Sequence, residues 1–263
     1  MTDERPLNGR HAVITGGGTG IGAAIALRLA AMGADLTLIG RRPTPLEETA
    51  HAMTSQHGVA VGFVIADVTD SDAVAAAFAQ AGQARGPVTI LINNAGAAES
   101  APFGKTDLAL LRRMLAINLE AAFLCSGAVV PAMRSGDWGR IVNIASTAGL
   151  TGYAYVSAYC AAKHALVGLT RSLALELART GITVNAVCPG FTDTDLVARA
   201  IDNIVAKTGR DASAAKVELE ATNPMGRLVT PAEVAETVAW LVAPSARPVT
   251  GQSIVVAGGE LMR

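Results

Sequence analysis

The chain has 263 residues, of which 51% are hydrophobic and 16% charged, so it carries enough apolar material for a large core. Its net charge of −1 includes no basic block, which argues against nucleic acid or anionic lipid as a partner. The three cysteines, Cys125, Cys160 and Cys188, are far apart and form no cluster with histidine, so we expect neither a metal site nor a disulfide framework.

The N-terminal stretch MTDERPLNGR lacks the apolar segment of a signal peptide, and we therefore expect a cytoplasmic protein. Two later stretches, 114–133 and 141–162, carry few charges. Asn118 and Pro131 interrupt the first, and the second is rich in serine, threonine, tyrosine and glycine. We expect both to be buried elements rather than membrane spans.

In chain order, short β-branched apolar runs alternate with longer helical patterns. Strands are predicted at residues 11–16, 35–40, 60–67, 88–94, 139–146, 182–190 and within 252–259. Helices are predicted at about 21–32, 45–56, 72–84, 107–133, 156–179 and 231–242. This alternation predicts a single α/β domain over 1–263, a Rossmann-type doubly wound parallel sheet of about seven strands with helices on both faces.

The region 191–225 is more polar than its surroundings and longer than an ordinary connection between a helix and a strand. It follows a strand at the carboxyl edge of the predicted sheet, where ligands bind. The region is therefore either a lid over the substrate or a plain pair of solvated helices.

The first strand runs into the glycine-rich sequence TGGGTGIG at 15–22. Glycines between a strand and a helix let the backbone approach a pyrophosphate, whose charge is then held at the helix N-terminus. The position of the turn predicts a dinucleotide site that involves Gly16, Thr19, Gly20, Ile21 and Gly22.

Arg41 and Arg42 end the second strand, where NAD-binding proteins usually have an acidic residue. A guanidinium fits a 2′-phosphate, and cations are disfavoured near a helix N-terminus without such a partner. The pair favours NADP(H) over NAD(H), the alternative being two solvated arginines.

Polar residues also close the next two strands. Asp67, with Val68, is placed to accept a hydrogen bond from an adenine amino group. Asn93 closes strand four and is followed by Asn94 and by the small residues Ala95 and Gly96, against which a ribose could lie. Either asparagine could equally be a structural cap.

All three tyrosines lie just before Lys163. Tyr159 and Lys163 are four residues apart and thus neighbours on one helix face, where an ammonium is expected to lower the phenol pKa. Ser146 ends the fifth predicted strand and could bind a substrate oxygen. Tyr153 and Tyr155 fall between Ser146 and the helix, as candidates for the substrate pocket wall.

These features occur in the order TGGGTGIG, NNAG, Asn118, Ser146, YCAAK and CPGFTDT. From about residue 8 to residue 259 the chain resembles the short-chain dehydrogenase/reductase family. The resemblance implies that Tyr159 is the general acid, that Lys163 holds the nicotinamide ribose, that Ser146 binds the carbonyl and that Asn118 holds a water beside Lys163. It also implies a homotetramer, and contacts to the nicotinamide end from Pro189, Gly190, Thr192 and Thr194.

Within the family, the chain most resembles 3-oxoacyl-thioester reductases, including polyketide ketoreductases. It departs from the latter at AAESAPF (97–103), where they tend to carry a proline-glycine-glycine element, and it has Ala257 where many members have aspartate. The predicted function is NADP(H)-dependent reduction of a ketone. The alternatives are an NAD-dependent secondary-alcohol dehydrogenase acting in the oxidative direction and a non-catalytic nucleotide-sensing module.

Overall fold

Seven parallel strands form the centre of the structure, a computed structural model that describes residues 5–262. The strands are β1 (His11–Thr15), β2 (Asp35–Gly40), β3 (Val61–Ile65), β4 (Ile90–Asn93), β5 (Gly139–Ile144), β6 (Ile182–Pro189) and β7 (Ser253–Val256). They lie in the order β3-β2-β1-β4-β5-β6-β7, and every neighbouring pair is parallel. The predicted doubly wound sheet is confirmed.

Helices follow the strands in chain order. They are α1 (Gly20–Ala31), α2 (Pro43–His57), α3 (Ser71–Arg85), α4 (Leu108–Leu115), α5 (Ala121–Ser135), α6 (Ser157–Leu177), α7 (Asp195–Thr208), α8 (Ala212–Glu220) and α9 (Pro231–Val242). The helix predicted over 107–133 is divided, because a π-helical turn, Ala116–Glu120, joins α4 to α5. Helices α7 and α8 occupy the region predicted to be either a substrate lid or a pair of solvated helices.

Both faces of the sheet are covered by apolar side chains, and β1 shows how. Ile14 belongs to the core on one face, with Leu29 of α1 and Val238 of α9. Its neighbour Val13 points the other way and belongs to the second core, with Phe78 of α3. Successive side chains of a strand alternate between faces, so a strand covered on both sides is mostly apolar.

The strand order reverses between β1 and β4, whose loops diverge at the carboxyl edge of the sheet. In open α/β sheets this switch point forms the crevice where ligands bind. The loops after β1, β4, β5 and β6, which carry most of the predicted site residues, all begin at this edge. Helix α7 also reaches it, since Lys207 Nζ donates to the Ser100 carbonyl oxygen, 3.2 Å away, in the loop after β4.

By length and composition, the helical run Leu108–Ser135 is long and apolar enough to cross a membrane. A core helix of a globular protein passes the same test, so this measure is weak. In this fold Cys125 and Val129 of α5 are buried in the second core, against Phe78 of α3.

Candidate active site

The glycine turn after β1 is too tight for side chains at two positions. Gly16 and Gly20 have positive φ values of 64° and 54°, which favour glycine. A Cβ atom at Gly22 would overlap the Gly16 carbonyl oxygen, and one at Gly16 would lie 2.9 Å from Asn94 Nδ2. The backbone of the turn therefore stays exposed to a ligand at the start of α1.

The two asparagines after β4 have different partners. The buried side chain of Asn93 donates to Asn143 Oδ1 at 2.8 Å and to Ser126 Oγ at 3.2 Å, so it faces the core. Asn94 Nδ2 donates to the carbonyl oxygens of Thr15 and Gly16, at 2.9 and 3.2 Å. The Asn93 side chain is thus used inside the protein, which leaves its backbone for the predicted contact with a ribose, and the Asn94 side chain holds the glycine turn.

Arg41 and Arg42 lie exposed beyond the end of β2. Arg41 Nη1 is 3.6 Å from Asp67 Oδ2, and Arg42 immediately precedes α2. Asp67 accepts from the Thr69 backbone N–H at 3.0 Å, and this bond, with the Thr69 hydroxyl and Arg41, lowers the pKa of its carboxyl. Val68 beside it is buried. Two guanidinium groups and one carboxylate therefore meet at the predicted adenosine end.

The segment after β6 returns to the glycine turn. Pro189 ends the strand, and the Gly190 N–H donates to the Val256 carbonyl oxygen at 3.1 Å. Thr192 Oγ1 donates to the Gly190 carbonyl oxygen at 3.0 Å. Thr194 Cγ2 is 3.2 Å from the position a Cβ atom would take at Gly20. Residues that the sequence separates by more than half the chain thus meet at one crevice.

Tyr159 and Lys163 lie on one face of α6, as their spacing predicted. The Lys163 Nζ atom lies 5.7 Å from the Tyr159 ring centroid and donates to the Ile144 carbonyl oxygen at 2.8 Å. Lys163 is only 3% exposed, and burial lowers its pKa to about 8. The lysine therefore links the tyrosine helix to the end of β5.

Burial raises the pKa of the Tyr159 phenol to about 12, and a hydrogen bond from the Ser146 side chain acts in the opposite direction. The lowering that we expected from Lys163 is not seen: burial has the largest effect on the Tyr159 pKa, and the Lys163 ammonium donates to the Ile144 carbonyl oxygen. A phenol with this pKa keeps its proton at neutral pH.

Ser146 lies two residues beyond the end of β5 and precedes a short 3-10 turn. Its Oγ accepts from the Ala148 backbone N–H at 3.1 Å. The contact between Ser146 and Tyr159 brings two hydroxyl groups together at the carboxyl edge of the sheet. One small polar group, such as a carbonyl oxygen, could be held between them.

Asn118 lies in the π-helical turn and is buried against the loop after β4. Its Nδ2 donates to the carbonyl oxygens of Ala97 and Met114, at 2.9 and 3.0 Å. A Cβ atom at Gly96 would lie 2.8 Å from Asn118 Oδ1 and 3.6 Å from Lys163 Nζ. Gly96 therefore separates the two polar groups, and a side chain there would fill the space between them. Ala95, the residue before it, packs partly buried against the second core.

The remaining two tyrosines are placed differently from each other. The Tyr153 hydroxyl contacts Thr147 Oγ1 at 2.8 Å, next to Ser146, and its ring lies 6.2 Å from that of Phe191. Tyr155 is 66% exposed, with a positive φ of 68°, which is uncommon for a non-glycine residue. Tyr153 thus lies beside the predicted substrate position, whereas Tyr155 lies at the surface.

A doubly wound sheet with a glycine turn, and a Tyr–Lys pair at its carboxyl edge, defines a dinucleotide-dependent oxidoreductase. The sequence model of the short chain dehydrogenase family matches residues 10–204. The chain belongs to this family.

Among curated relatives, the chain is 38% identical over 254 residues to D-beta-hydroxybutyrate dehydrogenase of Cupriavidus necator, covering 96% of this chain and 98% of the relative. It is 40% identical over 250 residues to granaticin polyketide synthase putative ketoacyl reductase 1 of Streptomyces violaceoruber, covering 94% and 92%. A crystal structure of a variant of actinorhodin polyketide ketoreductase with NADPH is similar, with a TM-score of 0.91 and 37% identity, over 95% of this chain and 97% of that one.

Proposed function

We propose that this protein is an NADP(H)-dependent reductase that transfers hydride to a ketone. The observation that carries the proposal is the meeting of Ser146, Tyr159 and Lys163 at the carboxyl edge of the sheet, beside a glycine turn. The cofactor supplies the hydride when bound, and the residues of this chain position the reactants and supply the proton.

In the proposed reaction, Ser146 donates a hydrogen bond to the substrate carbonyl oxygen and stabilises the charge that develops there. Tyr159 then gives its proton to the same oxygen as the alcohol forms. The phenol is protonated throughout the neutral range, as a general acid must be, and a bound cofactor and substrate would have to offset its raised pKa. A carbonyl held by two hydroxyl donors is also oriented toward one face of the cofactor site.

Lys163 and Asn118 support the tyrosine. We infer that Lys163 holds the nicotinamide ribose, and its bond to the Ile144 carbonyl oxygen fixes the direction of its side chain. Asn118 would hold a water beside Lys163 and connect the site to solvent. The shared position of the two groups around Gly96 supports this connection.

The choice of NADP(H) rests on Arg41 and Arg42. Arg41 is paired with Asp67, while Arg42 has no ion pair within residues 5–262, so a cation is available for a 2′-phosphate. The similar actinorhodin ketoreductase structure was solved with NADPH. The glycine turn, with its positive φ values, can take the pyrophosphate of either dinucleotide.

For the substrate we propose a 3-oxoacyl thioester or a related carbonyl compound, as the likeness to the granaticin ketoacyl reductase supports. A second candidate is an NAD-dependent secondary-alcohol dehydrogenase that works in the oxidative direction. The likeness to D-beta-hydroxybutyrate dehydrogenase favours that candidate.

We further propose a cytoplasmic homotetramer. Phe123 of α5 is 62% exposed, and with Leu119, Leu124 and Leu169 it lines an apolar recess on the surface of α5 and α6. A second copy of the chain would cover this surface.

The proposed function is tested with a panel of acetoacetyl-CoA, free 3-oxo esters, cyclic ketones and the corresponding alcohols, each with all four nicotinamide cofactors. Reduction of acetoacetyl-CoA with NADPH, at a higher kcat/KM than any alcohol oxidation with NAD, is the expected result. A preference for NAD and alcohols would establish the second candidate. Binding of NADPH without turnover of any substrate would instead indicate a nucleotide-sensing module.

A further inference from the structure

The segment after β7 brings a carboxyl group to the substrate side of the site. Gly258 and Gly259 have positive φ values of 58° and 93°, and they reverse the chain direction. The Glu260 N–H then donates to the Ala257 carbonyl oxygen at 3.0 Å. This tight turn points Glu260 back toward the end of β6.

Glu260 contacts Tyr153, which is a predicted residue of the substrate pocket wall. The Tyr153 hydroxyl bonds to Glu260 Oε1 through a short contact, and it also lies 2.8 Å from Thr147 Oγ1. A phenol has one proton, so it donates to one of these groups and accepts from the other. Because Thr147 follows Ser146 directly, the carboxyl belongs to the same cluster of side chains as the proposed carbonyl-binding residue.

The second carboxyl oxygen of this glutamate is unpartnered. Glu260 Oε2 has almost no accessible surface and no hydrogen-bond partner within residues 5–262, and it lies 2.6 Å from where a Cβ atom of Gly190 would be. Gly190 belongs to the segment predicted to contact the nicotinamide end. A buried carboxyl oxygen without a donor is unfavourable, so a strong reason is needed for its presence.

Within residues 5–262, no cation forms an ion pair with Glu260. Burial raises the pKa of this carboxyl, the Tyr153 hydrogen bond opposes that change, and no lysine or arginine contributes. Once ionised, Glu260 therefore projects an uncompensated negative charge into a site of low dielectric constant, where like charges repel strongly.

We propose that Glu260 is a specificity-determining residue that excludes substrates with a carboxylate near the reacting carbonyl and so selects neutral 3-oxo esters and thioesters. The proposal rests on the proposed ketone reduction at Ser146 and Tyr159. A binding site discriminates by unfavourable contacts with the wrong ligand as well as by favourable contacts with the right one. Acetoacetate and methyl acetoacetate have the same 3-oxo group and differ in this charge, so they are the probes.

The test compares wild type with Glu260→Gln, which keeps the shape of the side chain and can still accept from Tyr153. Initial rates with NADPH are measured for both probes at about pH 8, above the ordinary carboxyl range. We expect the variant to raise kcat/KM for acetoacetate roughly tenfold or more, mainly through a lower KM, which corresponds to about 1.4 kcal/mol. The kcat/KM for methyl acetoacetate should change less than about twofold.

Glu176→Gln is the matched control, because it removes an equal charge from an exposed ion pair with Arg134. This control variant should leave kcat/KM unchanged for both probes. The proposal would be overturned if Glu260→Gln changed kcat/KM equally for both probes, or changed it for neither.

A binding measurement separates this inference from the proposed function. Acetoacetate and methyl acetoacetate are titrated calorimetrically into the protein saturated with NADP⁺. Tighter binding of acetoacetate by Glu260→Gln than by wild type supports the inference even if wild type reduces neither probe, a result that would refute the proposed reaction alone. Equal binding by both proteins refutes the role of Glu260, whatever the rates are.

Discussion

The Nζ atom of Lys163 lies 5.7 Å from the ring centroid of Tyr159 and 2.8 Å from the Ile144 carbonyl oxygen. The lysine thus spans the gap between α6 and the end of β5 without bonding to the phenol oxygen. The Lys163 ammonium lies near the Tyr159 ring, whereas the Ser146 side chain lies near enough to the phenol to lower its pKa. The roles of the two residues can therefore be separated by mutation.

Tyr159→Phe should lower kcat for ketone reduction by at least about a hundredfold, because it removes the proposed general acid and little else. Fluorescence titration should give an NADPH Kd within about twofold of wild type, since the ring and its packing remain. Tyr155→Phe is the matched control, because that hydroxyl belongs to an exposed side chain. Near-normal turnover by Tyr159→Phe would refute the proposed acid.

Lys163 should make the stability of the fold depend on pH. Burial lowers its pKa from 10.5 to about 8, so the folded protein binds this proton less readily than the unfolded chain does. The charged lysine therefore destabilises the fold below about pH 8, and this penalty disappears as the pH rises to about 10.5. Relative to Lys163→Met, the free energy of unfolding of wild type should rise over this range by an amount on the order of 3 kcal/mol.

Urea denaturation of both proteins at the two pH values checks this expectation. Using the difference between the two proteins removes the contributions of all other titrating groups. Lys105→Met, at an exposed site, provides a control that should change the free energy of unfolding by less than about 0.5 kcal/mol at either pH. A difference for Lys163→Met that does not vary with pH would show that the lysine is not desolvated.

Arg42→Ala should reduce kcat/KM for NADPH roughly tenfold to a hundredfold and leave that for NADH nearly unchanged, since one charge-assisted contact to a 2′-phosphate would be lost. Arg41→Ala should act in the same direction and also free Asp67. Arg134→Ala, which breaks an exposed ion pair with Glu176, is the control. If kcat/KM fell equally for NADPH and NADH, the arginines would not select the 2′-phosphate.

Gly22→Ala should weaken dinucleotide binding by distorting the glycine turn, because the added methyl group would overlap the Gly16 carbonyl oxygen. The expected loss of stability is about 1–3 kcal/mol. Gly82→Ala in α3 is a matched control, since its methyl group would meet no atom within 4 Å and alanine favours the helix by about 1 kcal/mol. Thermal unfolding should therefore move to a lower temperature for Gly22→Ala and to a higher temperature for Gly82→Ala. Only Gly22→Ala should weaken NADPH binding in the titration.

Phe123→Asp should dissociate the proposed tetramer, because a charge would replace an apolar group in the recess formed with Leu119, Leu124 and Leu169. Size-exclusion chromatography with light scattering measures the mass directly. Ile65→Asp, at an exposed apolar residue of the edge strand β3, should keep the mass of wild type. A monomeric wild type, or a Phe123→Asp variant of unchanged mass, would rule out this interface.

The sequence was informative where one physical rule applied along a whole element. Strands buried on both sides are mostly apolar, so β5 and β6 were predictable from their valine and isoleucine residues. The spacing of Tyr159 and Lys163 likewise determined their shared helix face. The prediction for β5 ran two residues too far, and the shorter strand leaves Ser146 outside the ladder.

Other features depend on contacts that the sequence does not encode locally. Asn93 and Asn94 are identical neighbours, and only the alternation of side chains at the end of β4 decides which one faces the core. Glu260 meets Tyr153 across 107 positions of the chain. The raised pKa of Tyr159 follows from burial, which exists only once α6 packs against the sheet.

The π-helical turn at Ala116–Glu120 changes the rotation of α5 about the helix axis relative to α4. The turn contains one extra residue, and the Ala121 N–H closes it by donating to the Ala116 carbonyl oxygen five positions earlier. Deleting one residue would restore a continuous helix and rotate one half relative to the other by about 100°. Asn118, bonded to Met114 on one side and to Ala97 across the loop, lies at this joint. Residues of α4 can therefore change without altering the register of α5, which packs against the sheet.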